Sequence, residues 1–375
     1  MKAGWVTKKL GDVCSFENGD RGTNYPSRSA RTSQGIPFIN AGHLTDDGID
    51  IERLDYIPRE RFDLLGSGKI RAGDILFCLR GSLGKCASVG SLSEGAIASS
   101  LVIVRPRESV QNAYVMAYFQ SNICSDMINQ FKNGAAQPNL SAHSLSGFTI
   151  PVPPLLEQQR IVGILDEAFD GIATAKANAE KNLQNARALM QSALQSALSP
   201  PGGRWLRTTI GEQVMLQRGF DITKDEQKPG SVPVVSSGGV KSFHDTAMVK
   251  APGVAIGRKG TLGKVFYLDV DFWPHDTTLW VKEFNGNNAR FVYYFFNNLD
   301  VVHLDSGTAN PALNRNLVHP IEVDWPPISQ QKTIAEKLDS ISAETQRLES
   351  IYRQKLSALD ALKKSLLDRA FNGLL

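Results

Sequence analysis

The chain has 375 residues, 42% hydrophobic and 21% charged, with a formal net charge of +3. That length suggests two domains or more, and the composition is ordinary for a globular protein. A pI near 8.6 falls short of the marked basic excess of strong nucleic-acid binders, so DNA would have to be held by a few cations concentrated in grooves or with basic partners. No apolar run reaches the roughly 18 residues that span a bilayer, and MKAGWVTKKL lacks a signal-peptide core. No membrane and a cytoplasmic location are therefore expected. Cys14, Cys78, Cys86 and Cys124 form no CxxC pair and read as free thiols, not as a zinc site or disulfide framework.

Taken in order, the first half opens with WVTKKLGDVCSFENG from Trp5. The short β-rich runs IPFIN, DILFCLR and SLVIVRP follow, separated by Gly and Pro turns. An aromatic-rich helix is expected around Asn112–Lys132. Pro153-Pro154 then stops the extended segment and precedes a helix. The helical pattern runs about 45 residues without internal proline, on steps of four and three. Ile161, Leu165, Ile172 and Leu189 lie on this seam with Ala168, Ala175, Ala179, Ala186 and Ala193 between them. That is a heptad pattern. It ends at Ser199-Pro200-Pro201-Gly202-Gly203.

The second half repeats the first. WLRTTIGEQVMLQRG from Trp205 matches the opening at an offset of 200, and VPVV from Val232 matches IPFI at 196. GTLGK from Gly260 matches GSLGK from Gly81 at 179, and an expected helix at Asn288–Val302 matches the first aromatic one. SGTANPALN matches NGAAQPNLS at 173, and so does the Pro-Pro pair at Pro326-Pro327. The offset only shrinks, as a duplication with loop trimming would produce. A second heptad helix follows, with Ile334, Leu338, Ile341, Leu348, Tyr352, Leu359, Leu362 and Leu366 on its seam. Where the offset falls from 196 to 179, the first copy carries about 17 extra residues within His43–Lys69.

The fold expected is α+β: two similar mixed α/β domains joined by two long antiparallel helices acting as a coiled-coil spacer, with internal pseudo-two-fold duplication. The expected boundaries are 1–154 and 200–327 for the heads, and 155–199 and 328–375 for the helices. Such helices would span roughly 65 Å. Two like heads on a stiff spacer suit an extended ligand, and duplex DNA repeats its face every 34–36 Å or so.

The repeated turns invite a phosphate-loop reading. It fails, because Leu79, Cys86, Arg258 and Val265 stand where that loop needs Gly and Ser/Thr. As DNA contacts the turns offer Arg80, Ser82 and Lys85, and Arg258, Lys259, Thr261 and Lys264, beside glycines that permit close backbone approach. Hairpin turns whose lysines are merely solvated are the alternative. Base readout needs donors such as Arg, Asn or Gln. The candidates are Asn40, His43, Arg53, Arg59 and Arg61 in the first head, and Gln217, Arg218 and His244 in the second. Gln137, Asn139, Asn310 and Asn314 read as helix caps first. Asp225-Glu226-Gln227-Lys228 contains a nuclease-like Glu-x-Lys without the preceding Pro-Asp, and the six histidines show no metal spacing. Asp324-Trp325-Pro326-Pro327 is not an amino-methyltransferase motif, since a tryptophan intervenes.

The doubled Pro-Pro-x-x-Glu/Gln-Gln at Pro153–Gln158 and Pro326–Gln331, the doubled Gly-x-x-Gly-Lys turns, the head-helix-head-helix order and the closing SLLDRAFNGLL carry a resemblance over the whole chain. The pattern resembles the specificity subunit of type I restriction-modification enzymes. The resemblance implies a non-catalytic, sequence-specific DNA-binding subunit whose two target-recognition domains each read half of a split, asymmetric site. It implies two methyltransferase subunits that bind S-adenosylmethionine, restriction subunits that use ATP and Mg²⁺, and no cofactor on this chain. It also suggests that Glu157, Gln158, Gln330 and Gln331 dock head to helix. The competing readings are a coiled-coil scaffold with two protein-binding heads and, less favoured, a stand-alone DNA methyltransferase.

Overall fold

The computed structural model describes residues 4–45, 48–134, 138–199, 205–301 and 312–375. Gln137, Asn310, the Pro200–Gly203 linker and most of SGTANPALN lie outside them. The chain divides into two units, one of residues 1–178 with 355–375 and the other of residues 179–354.

In the first unit a four-stranded antiparallel sheet runs Cys14–Asn18, Leu101–Pro106, Ile75–Cys78, Cys86–Ser88. Its central strands are apolar over Ile75–Cys78 and 101–104 because both faces are covered there. Ile75, Phe77, Val102 and Val104 face a core shared with helix Asn112–Phe119, while Leu76, Cys78, Leu101 and Ile103 face a second cluster with Ile39 and Leu44. A smaller sheet orders Asp55–Ile57, Ile36–Ile39 and Ala96–Ile97, the last pair parallel. Strand Val6–Lys9 pairs with Thr149–Val152, the segment that runs into the first Pro-Pro.

The second unit repeats this topology. Its four-stranded sheet runs Met215–Arg218, Thr278–Glu283, Gly253–Gly257, Val265–Leu268; its smaller sheet runs Gly239–His244, Val232–Ser236, Trp273–Pro274; and Leu206–Thr209 pairs with Glu322–Trp325. The extra residues of the first copy build the Leu44–Thr45/Gly48–Ile49 hairpin, a 3₁₀ turn Ile51–Arg53 and helix Arg59–Asp63. The first aromatic helix is not continuous over Asn112–Lys132. It breaks after Phe119, and Ser121, accepting from Cys124 N at 3.3 Å, caps a second helix, Asn122–Phe131. The matching helix of the second head, Ala289–Asn298, is likewise shorter than expected.

The long helices are Leu155–Ala197 and Ile328–Phe371. Within the first unit they run antiparallel: Arg160 donates to Leu375 O at 2.6 Å, Lys176 bonds Asp360, and Lys363 lies 4.8 Å from the Phe169 ring. Ile161 and Leu165 share a core with Leu367, Ala370, Phe371 and head residues Tyr114 and Tyr118. Within the second unit Arg187 meets Glu349 at 3.1 Å, and Leu194 packs with Leu338 and Tyr294.

The seam departs from the heptad reading at two places. Leu189 is 56% exposed and Leu362 46% exposed, while Met190 and Leu194 turn inward on helix one and Lys363 and Leu367 on helix two. A helix of 3.6 residues per turn drifts about 20° per heptad against a strict 3.5 repeat. Over these lengths the buried face moves on by one residue.

Candidate nucleic-acid interface

The two glycine turns are hairpins closing the same pair of sheet strands, with the same two closing bonds. In the first, Cys78 N donates to Lys85 O at 2.8 Å and Gly84 N to Cys78 O at 3.0 Å; in the second, Gly257 N donates to Lys264 O at 2.7 Å and Gly263 N to Gly257 O at 2.9 Å. Both glycines of each turn adopt positive φ: 80° and 87° for Gly81 and Gly84, 77° and 73° for Gly260 and Gly263. L-residues rarely enter that region, which explains why Gly-x-x-Gly is written twice. Arg80, Ser82, Lys259, Thr261 and Lys264 are exposed and Lys85 half-exposed.

The residue before each turn identifies true equivalents. Leu140 N donates to Leu79 O at 3.0 Å, and Leu313 N donates to Arg258 O at 2.9 Å; Arg80 bridges Asn139 as Lys259 bridges Ala312. Arg80 therefore corresponds to Lys259, and Arg258 takes the place of buried Leu79. Burial, then the neighbouring Arg218, hold the half-buried Arg258 below its ordinary pKa, with Asp276 opposing. Arg218 bonds Asp276 Oδ2 at 2.8 Å, and Arg258 reaches Asp276 O at 3.4 Å. The structure thus brings two predicted contacts, from strands far apart in sequence, to one edge of the second head. Gln217 is half-buried beside them in strand Met215–Arg218.

Other predicted base readers are occupied within the fold. His43 is buried, its Nδ1 facing Asn40 N at 3.2 Å, while Asn40 accepts from Gly42 N at 2.8 Å and donates to Asp55 at 3.2 Å. His244 is buried, accepts from Lys228 N at 3.0 Å and stands edge-on to Trp273. Both terminal nitrogens of Arg59 donate to Glu94, at 2.7 and 2.6 Å. Arg53 is exposed, 3.6 Å from Asp50, and Arg61 is half-exposed on the short helix of the first head. Asn314 caps helix Arg315–Val318 through Asn316 N at 3.0 Å, and Glu226 caps its own loop through Thr223 N at 2.7 Å.

Two clefts went unread in the sequence. In the first unit Lys85 shares one of about 530 Å³ with Lys176, Lys363 and Lys364 of the long helices, Asp360 pairing Lys176 there. Cations there are concentrated in a groove, as a mildly basic protein would need. In the second unit a cleft of about 220 Å³ holds Lys224, Lys241, Ser242, His275 and Thr277, and Thr277 O accepts from Arg258 N at 2.8 Å. The lysines come from separate loops, strands or helices, so no motif marks them. Among the described residues Asp221, His275 and Asp276 alone are grouped closely enough to hold a metal ion, but Arg218 already pairs Asp276 and opposes a second cation there. The cysteines form no disulfide; burial, partly offset by Arg107, holds Cys14 at about 12, far from a reactive thiolate.

The head-to-helix joints are also one design used twice. Buried Gln158 accepts from Gln111 N at 2.9 Å and donates to Ser109 O and Pro153 O at 3.1 and 2.9 Å. Buried Gln331 accepts from Asn288 N at 2.9 Å and donates to Asn287 Oδ1 and Pro326 O at 2.7 and 2.9 Å. Each ties the start of a long helix to the start of the aromatic helix of its head. Glu157 instead pairs with Arg160 on its own helix, and Gln330 accepts from Trp205 Nε1 at 2.9 Å.

A family model described as "Type I restriction modification DNA specificity domain" matches residues 2–184 and 205–357. The chain is 20% identical to a putative type I restriction enzyme MjaX specificity subunit of Methanocaldococcus jannaschii, over 98% of this chain and 93% of that one. It is 24% identical to the type I restriction enzyme EcoKI specificity subunit of Escherichia coli strain K12, over 53% of this chain and 43% of that one. A solved structure described as "Structural basis underlying complex assembly and conformational transition of the type I R-M system" shares the fold, with TM-score 0.85 and 18% identity over 100% of this chain and 99% of that one. The crystal structure of the HsdS subunit from Thermoanaerobacter tengcongensis aligns with TM-score 0.63 and 17% identity, over 100% and 98%. With the family model matched once on each copy of a duplicated fold, the chain belongs to the type I restriction modification DNA specificity domain family.

Proposed function

We propose that each head, residues 1–154 and 200–327, reads one half of a split, asymmetric DNA target. The helices at 155–199 and 328–375 set the gap and carry two methyltransferase subunits, and restriction subunits join that core. As a member of its family the chain is a DNA-recognition subunit of a type I restriction-modification complex and is not itself the enzyme. S-adenosylmethionine, ATP and Mg²⁺ belong to the partners on this reading, and the complex works in the cytoplasm.

The observation that carries the reading is the pair of matched hairpins, each offering a lysine and a hydroxyl on a glycine turn open to a phosphate backbone. Their sameness supports a common ligand class; the unlike residues around them, Leu79 against Arg258 and the inserted hairpin of the first head, support different base preferences. Expressing the chain with its methyltransferase partner and sequencing the methylome gives the target. Footprinting should show two protected patches with a fixed gap, and four residues inserted in the first long helix should re-space or abolish recognition. One continuous patch, or unchanged spacing after the insertion, overturns the proposal.

A further inference from the structure

Among the described residues, two ion pairs cross between the long helices: Lys176 with Asp360 in the first unit and Arg187 with Glu349 in the second. Lys176 and Glu349 stand 173 residues apart, and so do Arg187 and Asp360, the offset that also relates Gln158 to Gln331. The two bridges therefore occupy one duplicated position. Helix one supplies the cation both times and helix two the carboxylate both times.

The apolar seam is divided the same way. Between the two bridges helix one buries small residues, Ala179 and Ala186 at 1% and 5% exposure, with the larger Ile172 and Leu194 buried only outside that stretch. Helix two turns Leu338, Leu348, Tyr352 and Leu359 inward. Small faces large across an unlike pair, which fills space at native density.

Consider like helices paired antiparallel in the register that the duplication defines. Two copies of helix one would set Lys176 against Arg187 of the other copy, twice, with alanine facing alanine and voids between. Two copies of helix two would set Glu349 against Asp360 and crowd leucine on leucine. Same-sign contacts at such flanking positions are how coiled coils exclude wrong partners. We infer that charge and size together code this helix pair for unlike helices, so that the chain rejects a second copy of itself through like-helix pairing.

The test uses the full chain. Two preparations labelled at the N-terminus with donor and acceptor fluorophores are mixed unfolded and refolded together, and energy transfer measures interchain dimer. Exchange through unlike helices sets the same background in every variant. K176E/D360K keeps an attractive pair within the chain but makes the like-helix contacts attractive too. Each exposed pair shifts an equilibrium by about two- to five-fold, so roughly tenfold more dimer than wild type is expected, collapsing near 1 M salt, where the screening length falls to about 3 Å. Adding R187E/E349R to that variant restores the code with inverted signs and should return dimer to the wild-type level. Should the first variant fail to fold, R187E/E349R alone makes the same exchange in the second unit and must show the same rise. Equal dimer in wild type and the double variant, or a high dimer fraction persisting in the fourfold variant, overturns the inference.

Discussion

Where the first head has Leu79 sealed in its core, the second has Arg258, half-buried and turned toward Asp276 and Arg218. Around that one difference the two heads keep the same backbone bonds, the same positive-φ glycines and the same glutamine joint. The first head spends its additional residues on a hairpin, a short helix and ion pairs such as Arg31–Asp55 and Arg59–Glu94. The second instead sets Arg218 and Arg258 around Asp276 and lines a cleft with Lys224 and Lys241. Backbone geometry is held in common because every hydrogen bond in it is obligatory, while side chains that close no such bond are free to diverge. Shared parts should therefore respond alike to substitution, and divergent parts should affect one half of the target.

The largest effect is expected at the joints. Gln158→Ala leaves Gln111 N, Ser109 O and Pro153 O without their buried partner, and Gln331→Ala does the same to Asn288 N and Pro326 O. Each should cost about 2–4 kcal/mol, measured by denaturant unfolding of the full chain, and the two costs should agree to within about 1 kcal/mol. A loss at one joint only would mean the duplication is one of shape and not of energetics.

Next comes the position where the heads differ. Arg258→Leu gives the second head the residue of the first. We expect one half of the target to relax by about 1–3 kcal/mol at the affected base pair while the other half is read as before, measured on a library of half-site variants. Equal weakening at every sequence would reassign Arg258 to the phosphate backbone.

How much of this was open to reading in the sequence depended on whether a residue's role is local. The Pro-Pro stops, the doubled Gly-x-x-Gly and the paired glutamines are local constraints, and the two long helices start where the prolines put them. The seam was readable until helical drift accumulated, which is why Leu189 and Leu362 come out exposed. The offset of 179 sets Arg258 against Leu79 and Lys259 against Arg80, and the cross-strand bonds of Leu79 and Arg258 bear that alignment out. His43, His244 and Arg59 looked available because their partners Asn40, Lys228 and Glu94 are fixed by the fold. The lysine clefts join side chains from distant segments, as in Lys85 with Lys363, and no spacing rule encodes that.

The matched lysines should behave alike and modestly. Lys85→Ala and Lys264→Ala each remove one phosphate contact, so each should lower the slope of log affinity against log salt by about 0.9 without changing base preference. Titration of duplex DNA from low to moderate salt reads this directly. Lys264 also lies 5.3 Å from the Phe266 ring, and Lys85 has its helix lysines. A slope change at one turn alone would show that only that turn touches the backbone.

The smallest effect tests whether the heads share a response to acid. Burial, with Arg31, holds His43 below its ordinary pKa against Asp55 and Asp50; burial, then Arg315, does so for His319. Each neutral ring faces a backbone N–H, Asn40 N at His43 Nδ1 and Leu216 N at His319 Nε2, at 3.2 and 3.0 Å, and a proton there would displace that bond. A depressed folded pKa means the unfolded chain takes up protons first. Stability is therefore level above the ordinary histidine pKa and declines as pH falls below it, until the folded value is passed. We expect a loss under about 1 kcal/mol per histidine between pH 7 and 5.5, read from unfolding midpoints. His43→Asn and His319→Gln each place an oxygen acceptor near the lost nitrogen and cannot titrate, so each should remove its own share of the slope. If the slope between pH 7 and 5.5 survives both substitutions, these two histidines do not set it; Glu17 and Glu212, both held below the usual carboxylate range, lose their contribution only below about pH 5, where the unfolded chain begins to protonate them.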